Sequence, residues 1–354
     1  MLNIQDPNDA AVLDRWKSHQ LEEDLLKVEE ILRTSIQSEN KLPRELSARL
    51  VASGGKRIRP LLMCLTYRAL EKLPQFKSKI NPSDLHTLAA VAEWVHTATL
   101  FHDDVIDNSP NRRDMPAAHI LHGNKTAILV GDYVYADAFS LLMERALLEP
   151  SRRLAITIKK LVEGELWQHQ NAQSRELSID NYVTVASCKT AALFAWAVET
   201  AAWGSGVNVV NEAYNFGENL GIAFQMADDV LDTFELNPLN SSQDNLIEWA
   251  TSAPTLPVTI AAQSNSRVIE LWKNLSNNSK SIEDLRNDVR ELQVLCATPK
   301  VLEDIKKVFT KHIQLAEKQL DSLANPASLD ESLQILACRL EEGLFHAQKI
   351  QETC

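Results

Sequence analysis

Residues Ser83–Asp107 read SDLHTLAAVAEWVHTATLFHDDVID. Apolar side chains recur at helical spacing as far as Phe101 with no Gly or Pro among them, which predicts one long apolar helix ending in Asp103-Asp104-Val105-Ile106-Asp107. A second stretch, Phe224-Gln225-Met226-Ala227-Asp228-Asp229-Val230-Leu231-Asp232, ends an apolar helical run in the same way. On a helix, positions i and i+4 share a face, so Asp103 and Asp107 project together, and so do Asp228 and Asp232. Like charges at that spacing repel. Placing them twice on otherwise apolar helices implies a cation that offsets the repulsion. Mg²⁺ keeps several waters and takes one or two carboxylates plus phosphate oxygens, so two facing carboxylate pairs, with Asp104 beside the first, suit a diphosphate held by several Mg²⁺ ions. Solvated acidic helix ends are the plainer reading, and the repetition argues against it.

The helical period continues on both sides. Runs are read at 12–36, 56–73, 83–107, 126–148, 151–171, 179–202, 208–236, 281–296, 299–323 and 328–350, with edges good to a few residues. With 10 Gly and 13 Pro in 354 residues there is too little punctuation for a β-rich chain, so the fold class is all-α. The 45% hydrophobic content supplies a substantial core, and one domain over 1–354 is expected. A formal net charge of −12 argues against a nucleic-acid partner, which needs a basic face. Cys64, Cys188, Cys296, Cys338 and Cys354 are odd in number and form no CxxC pair, as expected of reduced cytosolic thiols. The N-terminus has neither a basic region nor an apolar core, no uncharged apolar run approaches transmembrane length, and Cys354 is not fourth from the end as a prenylation signal requires. A cytoplasmic protein is expected.

Cations suited to phosphate are present. Ser53-Gly54-Gly55-Lys56-Arg57-Ile58-Arg59-Pro60 is a glycine turn opening a helix, with Lys56 and Arg59 on one face. Arg112 and Arg113 follow where the chain leaves the helix after Asp107, and adjacent residues can reach different phosphates. Taken singly, each of these is most simply a solvated surface group.

In order, these segments resemble the trans-isoprenyl diphosphate synthase family, in particular the bacterial long-chain polyprenyl diphosphate synthases. The resemblance runs from about Gly54 to Pro257 and rests on Gly-Gly-Lys-Arg-Ile-Arg-Pro, the His96–Asp107 segment, Arg112-Arg113, Gly131-Asp132-Tyr133, Gly164-Glu165 with Gln168, Lys189-Thr190, and Phe224-Gln225 before the second aspartate motif. It implies an antiparallel bundle of the isoprenoid synthase type around a central substrate cavity, a homodimer, and Mg²⁺-dependent condensation of isopentenyl diphosphate with an allylic diphosphate. It implies that Lys56, Arg59, His96 and Arg113 hold isopentenyl diphosphate. Arg112 and Lys189 hold the allylic diphosphate, bridged through Mg²⁺ to Asp103, Asp107 and Asp228 with Asp104 and Asp232 alongside, and Thr190 and Gln225 line the path of the carbocation. Helices such as 179–202, with Trp196 and Trp203, offer surface for the dimer.

Product length is read at the helix ending in the first motif. Ala98 and Thr99 stand one turn before Asp103, where the family uses bulky residues to stop at short products, so a long product is expected. Close helix packing is the competing explanation of Ala98, and Tyr135, Phe139 and Leu142 are either a lower wall of the tunnel or ordinary core. The sequence also departs from the family pattern. Ala253 stands where a lysine precedes Pro-Thr-Leu-Pro, Gln243 stands near a second expected lysine, Asp114 replaces a glycine, and no lysine occurs between Asp232 and Pro257. Three readings remain open: an active synthase, a weakened or regulatory subunit of one, and a class I terpene cyclase, against which Lys56, Arg59, His96 and Arg113 argue.

Overall fold

The computed structural model describes residues 19–55, 57–113, 115–238, 241, 243–275, 280–323 and 327–352. Lys56, Asp114, Cys354 and the start of the first expected helix lie outside them, as do the side chains of Gln243 and Asp244. The fold is all-α, as read from the sequence, apart from one short hairpin. The chain divides into two compact units interleaved along the sequence. One takes Met1–Ile158, Leu193–Gly217 and Gln319–Leu329, and the other takes Lys159–Ala192, Glu218–Lys318 and Asp330–Cys354.

In the first unit α1 (His19–Thr34), α2 (Lys41–Ala52) and α3 (Ile58–Glu71) lead to α4 (Pro82–Ile106). The start of α4 is set by a capping box: Asn81 Oδ1 accepts from the Asp84 N–H at 2.9 Å, Asp84 Oδ2 accepts from the Asn81 N–H at 3.2 Å, and Pro82 needs no partner in the first turn. From Leu85 to Val95 α4 is buried on every side, the state expected of a helix apolar all round, at about 1.5–3 kcal/mol for each large apolar side chain. It packs against α1, α3 and α6 (Asn124–Glu144). Asp24 on α1 ties this core together, accepting two bonds from Arg68 at 2.8 Å and lying 2.7 Å from His86 Nε2. Asn108 stops α4 by turning left-handed (φ 52), and the Ser109 N–H closes on Asp104 O at 3.0 Å. A hairpin of β1 (Asn111–Arg112) and β2 (Met115–Pro116) follows, then α5 (Ala118–His122), α6 and α7 (Leu148–Ser174).

The expected helix over 179–202 is broken into α8 (Ile179–Val185), a π-helical turn (Ala186–Ala191) and α9 (Ala192–Ser205). The start of α9 is core: Trp196 is fully buried and donates to Pro150 O at 3.2 Å. This corrects the expectation that Trp196 offers dimer surface. Exposed apolar side chains occur on α6, at Ile128, Leu129 and Met143, and on α7, at Leu148, Ile156, Val162, Leu166 and Trp167, besides Leu26, Ile106, Ile120, Leu121, Ile247 and Phe345 elsewhere. By length and composition α6 could also cross a membrane, although it carries Asp132 and Asp137 and a third of it is buried.

The second unit holds the end of α7, α8, α10 (Val210–Glu235) from Glu218, α11 (Gln243–Thr251), α12 (Leu256–Ala262), α13 (Ser266–Leu275), α14 (Ile282–Cys296), α15 (Pro299–Leu320) and α16 (Ala327–Glu352) from Asp330. Gln293 closes the end of α10, donating to Thr233 O at 2.7 Å and Leu236 O at 2.9 Å. Helices α2, α5, α11, α12 and α13 were not expected. Pro43 and Pro257 both fall in a first turn, where proline costs no hydrogen bond.

Candidate active site

The first unit gathers a basic cluster. Gly54 (φ 98) and Gly55 (φ 141) turn the chain into α3, and a Cβ on Gly55 would stand 2.9 Å from both Arg113 Nη2 and Arg57 Nη1, so only glycine lets the two guanidinium groups close over the turn. Arg57 is structural: it is 6% exposed, its Nε lies 2.7 Å from Glu29, and its Nη1 lies 2.9 Å from Glu93. Arg113 donates to Leu50 O at 3.1 Å and to Gly54 O. Arg59 lies over the Phe194 ring, 4.9 Å from its centroid. Burial, with the charges of Arg59, Arg113, Arg112 and Arg57, holds the His96 imidazole well below its ordinary pKa. A neutral His96 among arginines can donate to an anion without adding charge. Expected isopentenyl-site residues Arg59, His96 and Arg113 are therefore brought together, while Lys56 lies outside the described residues.

At the end of α4 the three aspartates are not equivalent. Asp103 is half-buried and Asp107 exposed, but Asp104 is only 2% exposed and accepts from Arg112 Nε at 2.7 Å. Tyr135 lies near this end, its hydroxyl pushed up by burial and by the charges of Asp103 and Asp132, with its ring 5.7 Å from that of His102. Gly131 explains part of the Gly-Asp-Tyr segment, since any Cβ there would collide with the His102 ring. Ala98 is fully buried, and the Thr99 hydroxyl donates back to His96 O at 2.8 Å.

The second unit repeats the pattern. Asp228 is half-buried, Asp229 is buried and Asp232 is exposed along part of its surface. Asp229 accepts from Gln225 Nε2 at 2.7 Å and from the Leu256 N–H at 3.0 Å, and burial raises its carboxyl to about 6. Desolvation, then the charges of Asp228 and Asp229, raises Asp232 to about 7. These hard oxygen donors hold one another's charge at a cost that a divalent cation would remove, so the residues fit Mg²⁺. Asp228 itself accepts from Arg339 Nε on α16 at 2.6 Å. Thr190 Oγ1 donates to Gln225 Oε1 at 2.6 Å, so the carbonyl expected to face a carbocation already takes a hydroxyl.

Lys189 and Thr190 sit in the π turn, a distortion that often marks functional positions. Lys189 Nζ lies 2.5 Å from Glu165 on α7, and Gly164 lets the two helices meet, because a Cβ there would stand 2.6 Å from the Lys189 backbone nitrogen. Sequence reasoning missed Glu165 as the partner of Lys189, although Gly164-Glu165 was part of the resemblance. It also missed Arg339, which no local motif announces.

The polyprenyl synthetase family profile matches residues 40–292, beyond both ends of the resemblance read from motifs. A prenyl transferase of Cyanophora paradoxa is 32% identical over 301 residues, covering 84% of this chain and 89% of its own. The crystal structure of a decaprenyl diphosphate synthase from Rhodobacter capsulatus aligns with a TM-score of 0.79 at 30% identity, over 93% of this chain and 98% of that one. That of a polyprenyl synthase from Caulobacter crescentus, complexed with calcium and isoprenyl diphosphate, aligns with a TM-score of 0.76 at 32% identity, over 91% and 95%. The chain belongs to the polyprenyl synthetase family. Its relatives put it with the trans-isoprenyl diphosphate synthases of the bacterial long-chain type, which share the all-α isoprenoid synthase fold.

Proposed function

We propose that the chain is a Mg²⁺-dependent prenyltransferase that joins isopentenyl diphosphate to an allylic diphosphate, making a long all-trans polyprenyl diphosphate and pyrophosphate. The observation that carries this reading is the shared order of the two aspartate motifs, in which the first and last carboxylates reach solvent and the middle one is bonded inward. Lys56, Arg59, His96 and Arg113 hold isopentenyl diphosphate, and Arg112 and Lys189 hold the allylic diphosphate. Asp103, Asp107, Asp228 and Asp232 take Mg²⁺, whereas Asp104 orients Arg112 and Asp229 orients Gln225.

Mg²⁺, when bound, supplies Lewis-acid stabilisation of the leaving pyrophosphate. The carbon–oxygen bond breaks with its electron pair going to pyrophosphate, the isopentenyl double bond attacks the allylic carbon, and loss of a proton to pyrophosphate restores a double bond. The arginines and Lys189 stabilise charge that grows on the departing oxygen, and the apolar walls keep water from the cation. The Thr190–Gln225–Asp229 chain fixes the Gln225 carbonyl dipole with its negative end on the Thr190 side, so Thr190 is the group left to meet the cation. Ala98, small and fully buried, leaves room for a growing chain.

We further propose a single synthase domain, a cytoplasmic location, and a homodimer covering the exposed apolar side chains of α6 and α7. Radiolabelled isopentenyl diphosphate with allylic primers, in Mg²⁺ and in chelator, tests the function: a metal-dependent ladder of longer products is expected, and none would sink it. One observation favours a weakened subunit instead, the lack of any lysine between Asp232 and Pro257. On that reading the chain makes product only beside a second synthase chain.

A further inference from the structure

We propose that Arg339 is a substrate-binding residue of this synthase, supplying beside the second aspartate motif the positive charge that the absent lysines at Ala253 and near Gln243 leave out. The inference rests on the function proposed above. Arg339 lies on α16, beyond the matched residues 40–292, so the family match assigns it nothing.

Its position is built. A Cβ on Gly343, one turn further along α16, would stand 2.8 Å from Val230 Cγ1 and 3.1 Å from the Leu231 backbone nitrogen, so that glycine lets α16 lie directly on the motif segment of α10. Asp228 pairs with Arg339, and seven residues on along both helices Glu235 lies 3.6 Å from His346 Nε2, so the helices run side by side in the same direction. The Arg339 guanidinium carbon also lies 5.9 Å from the centre of the Phe224 ring, one turn before Asp228. Both partners of the ion pair are partly open to solvent, at 29% for Arg339 and 23% for Asp228.

That contact leaves capacity on each side. A carboxylate offers about four lone-pair sites, so Asp228 can keep the Nε bond on Oδ1 and still ligate a metal, and a guanidinium carries five N–H donors in a planar fork of which Nε is one. The remaining edge suits phosphate oxygens bidentately. A cation beside a metal ligand opposes metal binding by itself and supports it once an anion lies between the two charges. Arg339 should therefore favour the metal–diphosphate complex rather than the metal alone.

The test compares wild type with Arg339→Met, which keeps the length and loses the charge, and Arg339→Lys, which keeps a charge. Calorimetry with a non-cleavable thiolo analogue of an allylic diphosphate in saturating Mg²⁺ reads the affinity. Mn²⁺ binding without diphosphate, thermal unfolding and the KM for isopentenyl diphosphate are read in parallel. Arg339→Met is expected to weaken analogue binding about tenfold or more, leave Mn²⁺ binding equal or tighter, and leave the isopentenyl KM unchanged, with Arg339→Lys, which keeps the charge but not the bidentate fork, recovering part of the loss. Unchanged or tighter analogue binding in a folded Arg339→Met would overturn the proposal, showing a cation that only competes with the metal at Asp228. A wild type that binds neither analogue nor isopentenyl diphosphate overturns the proposed function along with it.

Discussion

Gly164→Ala probes how the π turn is held. The new methyl would stand 2.6 Å from the Lys189 backbone nitrogen, 2.9 Å from Cys188 Cβ and 3.0 Å from the Cys188 carbonyl carbon, so the backbone of the turn must move. Replacing a mid-helix glycine by alanine ordinarily gains about 1 kcal/mol of helix propensity, whereas forcing a methyl into a packed contact costs about 1–3 kcal/mol. The net is therefore a loss of about 0–2 kcal/mol, a fall in Tm of a few degrees for a chain of this size. Function should respond far more, because Lys189 and Thr190 ride on the segment that moves, and a misplacement of about 1 Å can cost about a hundredfold in rate. The assay is steady-state turnover with the primer varied, beside thermal unfolding. A Gly164→Ala protein with wild-type kcat and primer KM would refute the claim that the approach of α7 sets the position of Lys189.

Asp103→Ala and Asp228→Ala should each abolish metal-dependent turnover, measured as incorporation of labelled isopentenyl diphosphate, and turnover retained by both in chelator would contradict the metal reading. Ala98→Phe should shorten the product distribution seen by chromatography after dephosphorylation, at a stability cost of about 1–3 kcal/mol because Ala98 is fully buried. Burial, helped by Glu144, raises Asp137 to about 6 from 3.8, and one of its carboxyl oxygens is buried with no partner among the described residues. Raised above its unfolded value, Asp137 contributes stability that is full below about pH 4 and lost as pH rises through about 6, so Asp137→Asn should raise Tm at pH 7.5 and much less at pH 4.5. Ala253→Lys should tighten primer binding about tenfold and restore part of what Arg339→Met loses, and no change in either background would remove the correspondence with the family's lysine.

The long helices were legible because their signal is local. α4 and α10 announce themselves by apolar period and end in acidic residues, while the capping box at Asn81 and the turn at Asn108 sharpen what the period predicts. The helices that escaped, α2, α5, α11, α12 and α13, are short; α2 and α12 carry a proline in the first turn, whereas α13 sets Val268, Leu271, Trp272 and Leu275 at helical spacing, a signal the sequence does hold. The π turn at Ala186–Ala191 has no signature in its residues. It lies against Gly164, more than twenty residues away, and a pairwise approach of that kind is not readable from either segment alone.

The site was legible as an inventory, and less so as a division of labour. Asp-Asp-x-x-Asp presents three aspartates of equal standing, yet helix geometry already grades them, since successive residues are turned by about 100°, which leaves the first and last about 40° apart and sets the middle one about 60° from the last and about 100° from the first. If that face looks toward solvent and substrate, the middle carboxylate is turned toward packed protein, where a charge persists only with partners. Asp104 finds Arg112, and Asp229 finds Gln225 and the Leu256 N–H. In each motif the buried aspartate thus fixes a residue expected to act on substrate. On the proposed function two carboxylates of each motif take the metal and the third aims a neighbour, which would account for a motif written with three aspartates.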